Sequence, residues 1–298
     1  MPHDELLNRV RRLCSPKRAR LTNVTPRLPK LRGIRAVLFD VYGTLLISGA
    51  GEPGGMTADG GGRRLRAALK ACGARALSRR AGSDGLAFLR EGVSKRHAAA
   101  HEAGVEWPEV DILAIWRSVL SRLVKAGLVE TIIDGATIKT LAVEYECRSN
   151  PVWPMPGTAR VLRRLGAAGI HLGVVSNAQF FTPLIFEAFF PGGLSTLGIQ
   201  RSLCAWSWKC GAAKPSTTLF RFAMDRLQEV CPCTPSEILV VGNDMLNDVA
   251  TAARLGCRTA LFAGDARSLR TRESHPDCHG VRPDAVITRL EQLTRILL

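Results

Sequence analysis

The sequence predicts an α/β fold: a parallel-sheet core with helices on both faces, interrupted after its first strand by an all-helical insertion. Three observations predict it. Short apolar runs rich in strand formers occur at residues 34–39 and recur from residue 170 onward. Residues 63–146 instead carry apolar side chains at helical spacing, as in Leu113, Trp116, Leu120 and Leu123. Several of the apolar runs end abruptly in loops that carry a carboxylate, a hydroxyl or an ammonium group. At 298 residues and 46% hydrophobic content, the chain is long and apolar enough to bury a large core.

Taken in order, residues 1–33 form a basic leader, expected to be flexible and solvated. Ile34 to Phe39 reads as a buried strand that stops at Asp40-Val-Tyr-Gly-Thr-Leu45. The glycine-dense stretches Gly49 to Gly55 and Gly60 to Gly62 would make a poor core and a good hinge or flap. Residues 47–150 hold the helical insertion, and Pro151-Val-Trp-Pro-Met-Pro156 marks its end. The runs Ile170 to Val175, Ile238 to Val241, Thr259 to Phe262 and Ala285 to Ile287 then alternate with helical patterns. Residues 34–46 and 151–298 thus make one Rossmann-like core. In open parallel sheets ligands bind beyond the carboxyl ends of the strands. Four loops are gathered there: Asp40 to Leu45, Ser176-Asn177, the loop near Lys214, and Gly242 to Asp248.

Composition narrows the function classes. The net charge of +15 is concentrated: residues 1–35 hold ten Arg or Lys against Asp4 and Glu5, a net of +8, and the other 263 residues carry +7. The basic stretch lacks the interleaved aromatics of a base-stacking surface, so nucleic acid is not an expected partner. No run reaches the roughly 18 apolar residues of a membrane helix, and no signal-peptide core is present; a cytoplasmic location is expected. The nine cysteines are scattered without metal-type spacing and read as reduced thiols.

The four loops together supply the Asp40 carboxylate, the Ser176 hydroxyl, the Lys214 ammonium and the carboxylates Asp244 and Asp248. A carboxylate can attack phosphorus and split one displacement into two easier steps. Mg²⁺ between the carboxylates would offset their repulsion from a phosphoryl group. Lys214 and Ser176 would neutralise or donate to its oxygens. Gly43 and Thr44 shape the loop and join in phosphate binding, and the Asn177 amide could orient substrate.

These motifs resemble those of the haloacid dehalogenase-like hydrolases, in the same order. Asp40-Val-Tyr-Gly-Thr-Leu45 is similar to the family's first motif, Ser176-Asn177 to the second, Lys214-Pro215 to the third, and Gly242-Asn-Asp244 through Asp248 to the fourth. The resemblance implies that Asp40 is the nucleophile. It also implies that Mg²⁺ is held by Asp40, the main-chain carbonyl of Tyr42 and Asp244, with Asp248 supporting the metal's water shell or Lys214. The insertion would be the cap that selects the substrate, a phosphorylated small molecule.

One residue departs from the family's phosphatases. Two positions after the nucleophile they usually carry an aspartate that protonates the leaving group; here it is Tyr42. Losing such help costs about a hundred- to ten-thousand-fold. Three readings follow. The first is a Mg²⁺-dependent phosphatase for leaving groups that need little protonation. The second is a metal-independent 2-haloacid dehalogenase, whose first motif also has Tyr at this place. The third is a regulatory protein that binds phosphorylated ligands with little turnover. Asp244 favours the first, because a second buried carboxylate facing Asp40 is costly without a cation. His97 and His101, four residues apart, share a helix face that reads as solvated or, more sharply, as the source of the missing acid. The five tryptophans read as packing residues, and His275, Cys278 and His279 lack a fourth metal ligand.

Overall fold

A computed structural model describes residues 3–50 and 60–298. The hinge or flap expected from Gly49 to Gly55 falls mostly outside these residues. Gly60 takes a left-handed turn that starts a helix at Gly61, so the second glycine cluster opens the insertion's first helix instead of extending the loop.

The strands, in chain order, are β1 (Ala36–Phe39), β2 (Leu46–Ser48), β3 (Arg75–Ala76), β4 (Val129–Glu130), β5 (Val152–Pro154), β6 (His171–Ser176), β7 (Ile199–Trp206), β8 (Ile238–Gly242), β9 (Arg258–Phe262) and β10 (Ala285–Ile287). The helices are α1 (His3–Leu13), α2 (Gly61–Ala71), α3 (Arg80–Glu102), α4 (Ile112–Lys125), α5 (Gly135–Ser149), α6 (Thr158–Ala167), α7 (Phe181–Phe189), α8 (Gly193–Thr196), α9 (Ser207–Cys210), α10 (Thr218–Val230), α11 (Thr251–Arg254) and α12 (Gln292–Leu297). A widened helical segment, Met245–Ala250, runs into α11. No described helix is long and apolar enough to cross a membrane.

Six strands form one parallel sheet in the order β10-β9-β8-β1-β6-β7. Alternation along β1 explains its two covers. Val37 and Phe39 join one apolar layer with Leu162 and Leu165 of α6 and Ile185 and Phe186 of α7. Ala36 and Leu38 face the other, with Leu219, Phe220, Ala223 and Leu227 of α10. Parallel strands buried on both faces read as continuous apolar runs, which is why five of the six were visible in sequence.

The insertion has its own apolar centre, where Leu65 and Leu69 of α2 meet Leu89 of α3, Leu120 and Leu123 of α4 and Leu141 of α5. It is not wholly helical, because β3 and β4 pair antiparallel. The chain enters and leaves it along an antiparallel ribbon, β2 with β5, in the proline-rich boundary.

The leader differs from the flexible arm expected. Leu6, Leu7 and Val10 of α1 are buried, because α1 is amphipathic and lays that stripe against α5 and α7. Its basic face is used as well: Arg9 and Arg12 pair with the fully buried Glu144 at 2.6 and 3.0 Å, and Arg148 pairs with the same carboxylate at 2.7 Å. Further on, Arg27 exchanges backbone hydrogen bonds with Val286 of β10.

Candidate active site

β1, β6 and β8 are adjacent and parallel, so their carboxyl ends present Asp40, Ser176 and Gly242 to Asp248 along one edge. Asp40 sits one residue beyond β1, its amide bonded to the Val241 carbonyl at 2.9 Å. One carboxylate oxygen is held firmly: Oδ1 accepts from Lys214 Nζ at 2.8 Å and from Ser176 Oγ at 3.2 Å. Oδ2 has no hydrogen-bond partner among the described residues, and Asp40 lines a cavity of about 890 Å³ between the strand ends and the insertion.

Lys214 is buried and uses all three ammonium protons, donating to Asp40, to Asp248 Oδ1 at 2.5 Å and to the Val175 carbonyl at 3.0 Å. Burial alone would lower its pKa; the carboxylates Asp248 and Asp40 outweigh that and hold it above the ordinary lysine value. Asp248 is pushed up by burial, against the pull of Lys214. Gly242 has to be glycine, since a Cβ there would run into the Asp248 carboxylate. Gly43 likewise combines a left-handed φ of 90° with contact to Ser268 and Asn243.

Two residues expected to bind substrate are engaged otherwise. Thr44 is fully buried and donates to Asn243 Oδ1 at 2.9 Å, joining the first loop to the fourth. Asn177 lines the cavity, but its amide clamps the Lys214 backbone: Oδ1 accepts from Lys214 N at 2.7 Å and Nδ2 donates to Lys214 O at 3.1 Å. Asn177 therefore positions the ammonium group. Tyr42 is also set aside from proton transfer. Its hydroxyl lies 2.8 Å from Thr182 Oγ1, and burial raises the phenol well above its ordinary value.

The residues expected to hold Mg²⁺, Asp40, Tyr42 and Asp244, line one cavity, with the two carboxylates engaged by other partners. Asp244 carboxylate oxygens take Arg272, at 2.7 Å from Nη2 and 3.2 Å from Nε. They also cap the segment after β8 through the amides of Leu246 and Asn247, at 2.9 and 3.2 Å. A cation beside the buried Asp244 is thus supplied by the Arg272 guanidinium, so the charge of Asp244 does not by itself call for a metal. The fourth-loop side chain that meets the Asp40 loop is the neutral Asn243. Among the described residues, no group of three or more His, Cys, Asp or Glu is arranged to hold a metal ion. In this arrangement Asp244 is paired with Arg272 and Asp40 with Lys214, so a divalent cation would have to displace the Arg272 guanidinium.

Arg272, Arg270 and Ser268 carry no motif, yet all three line the cavity from the loop after β9. The signal was available in principle: β9 ends at the same edge, and three arginines follow it within ten residues. From the insertion come Arg90, His97, His101 and Glu109. His97 Nε2 is buried with no hydrogen-bond partner among the described residues. Glu109 is half-buried, accepts from Ser207 Oγ at 2.7 Å, and is pushed up by burial. His275, Cys278 and His279 lie away from this cavity.

Comparison with known proteins agrees with this fold. No curated protein matches. Among solved structures, a 2-haloacid dehalogenase from Pseudomonas syringae pv. tomato DC3000 superposes with a TM-score of 0.55 at 20% identity, covering 88% of this chain and 97% of the other. An HAD phosphatase from Thermococcus onnurineus gives 0.48 at 18% identity, covering 88% and 97%. A predicted phosphoglycolate phosphatase from Haemophilus somnus 129pt gives 0.48 at 18%, covering 89% and 99%. At such identities the likeness is one of fold. The family evidence is direct: residues 34–256, most of the chain and all four loops, match the haloacid dehalogenase-like hydrolases. With that match over a parallel sheet whose strand ends carry Asp40, Ser176, Lys214 and Asp248, the chain belongs to the haloacid dehalogenase-like hydrolase family.

Proposed function

We propose that the chain hydrolyses a small anionic molecule through a covalent ester on Asp40, with Lys214 and no divalent cation holding the nucleophile, and that the insertion serves as its cap. The observation that carries this reading is the asymmetry of Asp40: Oδ1 is fixed by Lys214 and Ser176 while Oδ2 is left to the cavity. A carboxylate so held attacks with one oxygen along one direction, which lowers the entropic part of the barrier.

Oδ2 would displace a leaving group from the substrate carbon, forming an ester. Water attacking the ester carbonyl then frees the product hydroxyl and restores the carboxylate. Once Asp40 is esterified its charge is gone, and Lys214 keeps Asp248 as counter-ion, so the ammonium group stays in place through both steps. No residue at Tyr42 can protonate the departing atom, which favours leaving groups that need no proton, of which halide is the simplest.

The second reading is the Mg²⁺-dependent phosphatase acting through an aspartyl phosphate. Its support is the cationic lining of Lys214, Arg270 and Arg272, which suits a phosphoryl group. It requires Asp244 to exchange Arg272 for the metal.

Halide release from 2-haloacids and phosphate release from acyl phosphates and phosphate monoesters, each measured with Mg²⁺ and with EDTA, separate the two. We expect turnover that EDTA leaves unchanged, and its loss by about 10⁴-fold or more in Asp40→Asn. Phosphate release that EDTA abolishes would establish the second reading. Full turnover in Asp40→Asn would remove both.

A further inference from the structure

The cavity over Asp40 is larger than the smallest substrates its chemistry could serve. Its volume of about 890 Å³ lies in the upper part of the roughly 300–1,000 Å³ range of sites that enclose drug-sized ligands. The two halves also differ in chemistry. At the strand ends the lining is polar and charged, with Asn177, Lys214, Asn243 and Arg270 around Asp40. On the insertion side, beside the polar groups of Arg90, His97, His101 and Glu109, runs an apolar strip: Leu89 and Val93 of α3, Ile112 and Trp116 of α4, and Tyr145 of α5, joined by Phe181 of α7.

This apolar wall is built before any ligand arrives. Trp116 and Tyr145 lock edge to face, with ring centroids 5.0 Å apart and planes at 67°. Trp116 is almost wholly buried and backs the wall from behind. An apolar surface facing a cavity gains from contact with an apolar ligand and offers water nothing to bind.

We propose that the substrate is an amphiphilic anion: a charged head at Asp40 and an aromatic or branched apolar body, of phenyl size or larger, against the wall of α3, α4 and α5. The place of the head rests on the reading of Asp40 as nucleophile. The preference for the body does not depend on turnover.

Calorimetry on the wild-type protein compares unreactive ligands that share a head: acetate with 3-phenylpropionate, and methylphosphonate with benzylphosphonate. The aryl member of each pair is expected to bind about tenfold to a hundredfold more tightly. In Val93→Trp, which fills the apolar half, that advantage disappears while the small member binds as before. Val93→Ser, which adds no bulk, reduces the advantage and serves where the tryptophan variant does not fold. Equal affinity within both pairs, or tighter binding of the small members, overturns the proposal. Turnover of 2-chloropropionate, 2-chloro-3-phenylpropionate and benzyl phosphate is measured in parallel. Aryl preference without any turnover keeps this inference and removes the nucleophile reading; turnover of 2-chloropropionate without aryl preference does the reverse.

Discussion

Lys214 carries three acceptors on three protons, and two of them are carboxylates that no other side-chain cation touches among the hydrogen bonds of the described residues. Replacing it by methionine leaves Asp40 and Asp248 buried together without a counter-charge. The expected cost is about 3–5 kcal/mol of stability, read from the urea midpoint, together with loss of turnover. Tyr42 is the contrasting case. Tyr42→Phe removes one buried hydrogen bond to Thr182 and is expected to cost about 1 kcal/mol, with kcat unchanged. Because the phenol is raised well above its ordinary value, the wild-type rate should show no inflection from Tyr42 below pH 10. A large fall in kcat for the phenylalanine variant would restore Tyr42 to proton transfer. Residue type at these places was legible in sequence; which way each side chain turns was not. Asn243 and Asp244 are neighbours, and only the structure shows that the amide meets the Asp40 loop while the carboxylate turns to Arg272, 28 residues away. Nothing in the motif records that partner.

Among the elements, β7 was missed and α1 was misread, for related reasons. β7 is an edge strand whose first half, Gln200 to Ser202, is half-buried or exposed and polar, so it breaks the apolar run by which the central strands are found. In α1 the charge conceals the stripe of Leu6, Leu7 and Val10, although Arg9 is largely buried against Glu144 and Arg12 reaches the same carboxylate from the surface. Removing residues 1–14 would leave Glu144 with Arg148 alone and uncover the apolar surface beneath α1. A loss of about 3–5 kcal/mol is expected, measured as a lower urea midpoint; an unchanged midpoint would return the leader to a solvated arm. Of the five legible strands, β1, β6, β8 and β9 lie inside the sheet, where continuous apolar character is a physical requirement, and the edge strand β10 is short and wholly apolar.

Across the whole molecule, insertion and core meet along a second seam far in sequence from the β2–β5 ribbon. Gln179 donates to the Val110 carbonyl at 2.9 Å and accepts from the Ile112 amide at 3.2 Å. Pro108 bridges to Ala212, and Glu109 accepts from Ser207. The Glu109 carboxyl is raised by burial, so the folded state holds its proton more tightly than the unfolded chain does. Its contribution to stability is present at pH below the ordinary value of 4.5 and is lost as pH rises through the folded value above it. Glu109→Gln lacks this dependence. Thermal unfolding across the acid range should show wild type losing ground to the variant as pH increases through that window, and parallel curves would remove Glu109 as the cause. The two seams are unequal in kind, because α1 spans both parts: it packs on α5 of the insertion and on α7 of the core, where Arg11 also donates to the Ala188 carbonyl at 2.8 Å. With α5 tied to α7 through α1, the connections left at the other end of the insertion are few and polar: Glu109 to Ser207 and Gln179 to Val110 and Ile112. Paired replacement of Glu109 and Gln179 by alanine is therefore expected to loosen the α3 and α4 edge ahead of α5, seen as faster amide exchange in α3 and α4 than in α5; equal change in all three helices would show that α1 does not tie α5 to the core.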